Sequence, residues 1–286
     1  MEQDEGQKDM TMTQGDEGSV KISGLLRLWI ATEVVFGLMS VLTISLYPEQ
    51  TTEQFAWPIK AFVTAALLGG FYLASASIFV LALFARRWEN IRVFVPASIV
   101  FSSTELLATF LHWDKFSVGT LPFTVWFISY ILPPPLFLAF YLQHQRRAPP
   151  LPRPGDEPLP ATLRALMQVL GAVLVGFALV IFVVPTLWVA VAPVPFTPLT
   201  TRAFAGWVLA LGLMQWLALR ENDRTRVRLI SPFFALALPA IALEMARYPE
   251  QIDFGNPALY LGFAVLALVC GVGITLVRGN WRAVLR

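Results

Sequence analysis

Charge, cysteine and histidine are all scarce in this chain, and each scarcity removes a class of function. Lys, Arg, Asp and Glu make up 14% of the 286 residues, against roughly 25% in an ordinary soluble domain. A single cysteine, Cys270, leaves no disulfide framework, no CxxC redox pair and no thiolate zinc site within one chain. The two histidines, His112 and His144, stand at opposite ends of their apolar segments. One span length, roughly 30 Å, separates them, so they cannot share a haem or a metal, and no cofactor is implied. The sequence contains no Walker GxxxxGK motif, no HExxH and no GxSxG, which removes the commonest nucleotide, zinc-protease and serine-hydrolase signatures. Aspartates do not cluster at any segment end, so magnesium–diphosphate chemistry lacks ligands.

Apolar residues are what the chain has in excess, 56% of it with a mean hydropathy of +0.64. A bilayer core about 30 Å thick needs about 20 mostly apolar residues per helix. Eight runs satisfy this: 22–46, 59–85, 93–112, 123–144, 163–192, 201–219, 229–247 and 257–278. They predict an all-α polytopic membrane bundle whose short loops leave no extramembrane domain. Residues 1–21 form an acidic tail, with Glu2, Asp4, Glu5, Asp9, Asp16 and Glu17 against Lys8 in its first twenty positions. That composition predicts disorder. It is the reverse of a signal peptide's basic start, so the first span is expected to be retained.

Basic residues divide unevenly between the two sets of connections. Seventeen of the 21 Lys and Arg, among them Arg86, Arg87, Arg92, Arg146, Arg147, Arg224, Arg226 and Arg228, fall on one side. Lys60, Lys115, Arg202 and Arg247 are the four on the other. The positive-inside rule then places both termini, including the basic tail 279–286, in the cytoplasm of a plasma (inner) membrane. Membrane lipids are the implied partners. The basic face is read as a topology signal and a contact for anionic lipid, with no role in nucleic-acid binding. Trp57, Trp113 and Trp188 are expected at the outer interface, and Trp88 and Trp281 at the inner one.

Residues 145–162 hold prolines 149, 150, 152, 154, 158 and 160, which favours an extended polyproline spacer. This linker separates two sets of four spans, 22–144 and 163–278, and the sets share local patterns. Trp57-Pro58-Ile59-Lys60 pairs with Phe196-Thr197-Pro198-Leu199 and Arg202. The turn 87–92 pairs with 220–224, and His112-Trp113-Asp114 before Gly119 pairs with Arg247-Tyr248-Pro249 before Gly255. Four spans per half is an even number, so the expected repeat is parallel, about an axis normal to the membrane. Three segments, LLATFLHWDKF (106–116), FTPLTTRAFAGW (196–207) and ARYPEQIDFGNPALYLGF (246–263), resemble motifs of bacterial eight-span membrane proteins with no assigned activity. The resemblance covers most of the chain outside 1–20 and 145–160. It implies the topology and supplies no mechanism and no functional residue.

Ionisable groups inside spans are costly and normally face protein or water. Ser98, Ser102, Glu105, Thr109 and His112 recur at spacings of 4, 3, 4 and 3, one face of a helix. That stripe, with Glu33 near the middle of the first span, could line a polar pathway or proton relay; the alternative is hydrogen bonding between helices. Lys60 and Arg202, each near a helix-starting proline, could form an outward anion site with two helix N-termini. They could equally neutralise nearby acids or snorkel to lipid. Glu244 and Arg247 are spaced for a structural ion pair. Pro133, Pro134 and Pro135 in the fourth span, and Gly271 and Gly273 at equivalent depth in the eighth, are expected to break or bend their helices. Gly70, Ala74 and Ser77 in the second span read as packing contacts. Three functions fit these features: a small-solute or proton-linked carrier, a non-catalytic subunit or scaffold, and, less favoured, an intramembrane enzyme on a lipidic substrate.

Overall fold

Long apolar runs have one low-energy form in a bilayer, the helix, because it satisfies every backbone N–H and C=O within the segment. A computed structural model describes residues 19–148, 157–279, 281 and 284; most of the acidic tail and prolines 149, 150, 152 and 154 of the linker lie outside them. Among the described residues, eight helices are long and apolar enough to cross a membrane. Spans one to four are Gly24–Leu46, Phe62–Phe84, Phe94–Leu111 and Leu121–Gln145. Spans five to eight are Ala161–Val183, Pro198–Glu221, Arg224–Met245 and Pro257–Val277. The chain is a multi-pass membrane protein.

Local sequence sets the helix ends. Ser23 Oγ accepts from Leu26 N at the start of span one, Thr120 Oγ1 from Phe123 N at span four, and Asn256 Oδ1 from Ala258 N at span eight. Thr197 and Thr200 form a reciprocal capping box ahead of Pro198, which opens span six. These partners satisfy donors that the first helical turn leaves free. Span six stops at Asn222, whose φ of 46° is left-handed, a conformation Asn tolerates better than most residues. Span five ends at Val183, and Pro185–Val191 forms a separate short helix. The single run 163–192 is therefore divided, because Pro185 has no N–H and forces Val184 out of helical geometry.

The proline triplet divides span four into Leu121–Ile131 and Pro133–Gln145 at Leu132. Span eight, in contrast, is one uninterrupted helix. The break expected at Gly271 and Gly273 is absent, since glycine keeps its N–H and only proline removes a donor. Gly273 is instead a close-approach point. A Cβ there would run into the backbone of Phe234 and Ala235 in span seven, whereas Gly271 faces open space. Two of the tryptophans expected at the interfaces are enclosed by protein. Trp57 and Trp88 are buried; Trp57 packs on Phe116 and Trp126, and Trp88 stacks on His144 and donates to Gln145 Oε1 at 3.1 Å. Trp113 remains exposed.

Six pairs of spans make the most extensive contacts among the described residues. Span one lies on two and five on six; two on seven and six on three; three on four and seven on eight. Renumbering each span by four maps the six pairs onto one another. Element starts obey a matching offset of 136 residues: Phe62 and Pro198, Trp88 and Arg224, Trp113 and Pro249, Leu121 and Pro257. Spans one and five align at an offset of 137, Gly24 with Ala161, which matches buried Ile30 with Met167 and Ile44 with Ile181. At the first offset Phe71 and Trp207 are counterparts, and they stack at 5.6 Å with planes 11° apart. At this offset Trp57 falls opposite Pro193, three residues from Phe196, and the inner turn 87–92 falls four residues beyond the motif pairing.

Polar clasps close both ends of the bundle. On the face that holds both ends of the described chain, Glu221 is ion-paired with Arg92 and, at 3.0 Å, with Arg226. His144 accepts from Ser23 N, tying the start of span one to the end of span four. On the far face, Glu244 accepts from Ser45 Oγ at 2.5 Å and pairs with Arg247 at 2.7 Å. Nearby, Tyr248 donates to Glu49. That bond holds the Glu49 carboxyl below its usual range, while burial, with Glu49 beside it, pushes the Tyr248 hydroxyl up to about 12.

Candidate functional site: a polar cleft in the first four spans

Spans one to four do not close on one another completely. A cleft lies between them, with Trp207 of span six at its back. Span one contributes Glu33, Phe36, Gly37 and Ser40; span two contributes Tyr72, Ser75 and Phe79; span three contributes Ser98, Phe101 and Ser102. Span four adds Ser129, Tyr130, Pro133 and Phe137. The helix break therefore borders the cleft. Three successive prolines donate no N–H, so the carbonyls of Ser129, Tyr130 and Ile131 lose their helical donors at this depth. Tyr72 and Tyr130 are hydrogen-bonded to each other through their hydroxyls. Glu33 is half-buried, and its Oε1 is enclosed without a hydrogen-bond partner.

Glu105 sits one turn from Ser102 along span three, roughly 4.5 Å further along the axis. It is 1% exposed, and neither carboxyl oxygen has a partner. Its room comes from Gly206, next to Trp207: a Cβ on Gly206 would meet Glu105 Oε1. The twin crossing, between spans two and seven, has the same form. There Gly70 makes room, and a Cβ would lie 2.8 Å from Ile241 Cα. Gly70 and Gly206 are counterparts at the offset of 136, and so are Glu105 and Ile241. The fold fills one crossing with an isoleucine and the other with a carboxyl.

The stripe read from spacing is thus divided into three parts. Ser98 and Ser102 face the cleft, Glu105 lies over Gly206, and Thr109 accepts from Trp126 Nε1 at 3.0 Å while donating to Glu105 O. His112 follows the last residue of span three as its C-cap and takes the Arg202 guanidinium at 2.5 Å through Nε2. Burial and that neighbouring cation hold His112 below the usual imidazole range, consistent with a neutral ring accepting from arginine. Arg202 also donates to Phe182 O at 3.0 Å. It lies inside span six, whereas Lys60 is exposed and precedes span two. The two cations are not counterparts, and no contact joins them in an anion site. Glu244 and Arg247 are engaged in the far-face clasp.

Tyr72, Tyr130, Ser40, Ser75, Ser129 and Trp207 escaped the sequence reading. A tyrosine at mid-span carries a hydroxyl that needs a partner, and that signal in Tyr72 and Tyr130 could have located the cleft. Comparison with protein-family models, with curated proteins and with solved structures finds no match.

Proposed function

We propose that this chain is a proton-linked carrier of a small solute in a bacterial plasma membrane, built by duplication of a four-span unit and oriented with both ends in the cytoplasm. Glu105 carries the functional part of this reading. An isolated carboxylate charge in a low-dielectric interior costs many kcal/mol, so charge there is tolerable only beside a proton or another cation. The counterpart position holds Ile241, so packing at this crossing does not require a carboxyl. Glu33, also enclosed in part, lies in a cleft bordered by the break in span four, the kind of interrupted helix on which transport sites are built. The recurring element register supports the duplication. Seventeen basic residues on one set of connections support the orientation.

Proton flux in proteoliposomes tests the reading. Vesicles holding a pH-sensitive dye are given an inward proton gradient, and dye response is followed for wild type and Glu105→Gln. The carrier reading expects at least a tenfold faster response for wild type than for the correctly inserted variant. Equal rates would overturn it and favour a scaffold.

A further inference from the structure

The polar character of the cleft belongs to one half of the molecule only. At the offsets set by the helices, Glu33, Tyr72, Ser75, Ser98, Ser102 and Tyr130 correspond to Leu170, Val208, Leu211, Phe234, Leu238 and Leu266. Every polar group has an apolar counterpart. The space differs in the same sense. Phe137, 1% exposed, borders the cleft beside span three, with its ring 6.5 Å from Phe94. Its counterpart is Gly273, which brings span eight against the backbone of span seven at Phe234 and Ala235. The same helix arrangement is therefore stable when filled with hydrocarbon, and the hydroxyls and carboxyl of the first half are not needed to build it.

The chemistry of the lining selects a ligand class. It contains one carboxyl, serine and tyrosine hydroxyls, and the rings of Phe36, Phe79, Phe101, Phe137 and Trp207, with no Lys, Arg or His. Aromatic faces and a carboxylate attract a weakly hydrated organic cation. An anion would find no Lys, Arg or His to neutralise it, and a hard metal ion needs six or more oxygens, where this site offers many ring carbons.

Building on the carrier reading, we propose that the first-half cleft binds a small organic ammonium ion in exchange for the proton of Glu33. The O–H bond of the Glu33 carboxyl breaks, the proton passes to solvent, and the carboxylate pairs with the incoming cation. No electrons are transferred, and the site stays neutral before and after. The second half is the filled copy that holds the bundle together.

The full chain, purified in neutral detergent and weakly buffered near pH 7, is titrated with methylammonium chloride, a cation small enough for a cleft of about 50 Å³. Calorimetry follows binding and an indicator dye follows the proton. Saturable binding is expected, with proton release approaching one per protein, and no binding of formate, an anion of similar size. Glu33→Gln should abolish the release and weaken binding at least tenfold. Should that variant fail to fold, Ser102→Leu places the second-half residue in the cleft and is expected to block binding while the bundle persists. Absent release, equal release from Glu33→Gln, binding undiminished in Ser102→Leu, or equal binding of formate would overturn the proposal. If Glu105-dependent proton flux persists without cation-linked release, the ammonium class falls and the carrier reading stands. Release without flux would mark a cation-binding protein and overturn the carrier reading on which the proposal rests.

Discussion

Replacing Glu105 by isoleucine separates a functional carboxyl from a structural one, because the molecule already contains the isoleucine version of this contact. Ile241 lies over Gly70 as Glu105 lies over Gly206. A buried polar group without a partner forfeits about 1–3 kcal/mol. An apolar side chain removes that penalty. It gains little from hydrophobicity in a bilayer, where lipid tails are equally apolar, so relief of the unpaired carboxyl and fit at the glycine decide the sign. Imperfect shape for a branched side chain returns up to about 1 kcal/mol. Glu105→Ile should therefore be more stable than wild type by about 1–2 kcal/mol and should lose proton flux. Unfolding by dodecyl sulfate in mixed micelles, followed by the fluorescence of nine tryptophans, measures the first effect, and dye-loaded proteoliposomes the second. A variant destabilised by more than about 1 kcal/mol, or one that keeps its flux, would refute the assignment of Glu105 to function.

Two further outcomes follow from named contacts. His112 accepts from Arg202 as a neutral ring, and its folded pKa lies below the ordinary 6.5. Between that folded value and 6.5 the unfolded chain binds the extra proton. The contribution to stability is therefore complete above 6.5 and is lost as pH falls through the depressed value. Thermal unfolding from pH 7.5 to 5 should show a loss of about 1 kcal/mol, at the low end for a charged hydrogen bond because both side chains are partly exposed. His112→Gln should flatten that dependence, and an unchanged profile would contradict the contact. In the twin crossings, Gly70→Ala drives a methyl toward the Ile241 backbone and should cost about 1–3 kcal/mol, whereas Gly206→Ala meets the movable end of Glu105 and should cost less. Reversed costs in the micelle assay would show that the crossings are packed differently.

Much of the bundle could be read from the chain alone, because hydrocarbon thickness dictates the length of each apolar run. Helix starts at Pro198 and Pro257 and the break at the proline triplet were also legible, since proline acts through its own backbone. A residue type does not fix conformation without its neighbours. Gly271 and Gly273 permit bending, yet span eight stays straight, because what Gly273 accommodates is the backbone of span seven. Lys60 and Arg202 both follow a helix-starting proline in sequence, but Lys60 precedes span two while Arg202 lies a turn inside span six. The stripe from Ser98 to His112 was correct as one face of a helix. That face meets three different surroundings: the cleft, Gly206, and the Arg202 clasp. The cleft itself depends on Tyr72 and Tyr130, which lie 58 positions apart. Its one-sidedness becomes visible only once the helices fix which residues correspond.

The central claim, a solute-accessible polar cleft in one half and a filled one in the other, is tested most directly by thiol accessibility. Ser98→Cys, half-buried on the cleft, and its buried counterpart Phe234→Cys are each placed in a Cys270→Ala background, and membranes opened to both sides are treated with a small cationic or anionic thiosulfonate. The expected result is rapid modification of position 98 by the cationic reagent, slow modification by the anionic one, and no reaction at position 234 with either. Equal reactivity at both positions, or a preference for the anion at 98, would contradict the account.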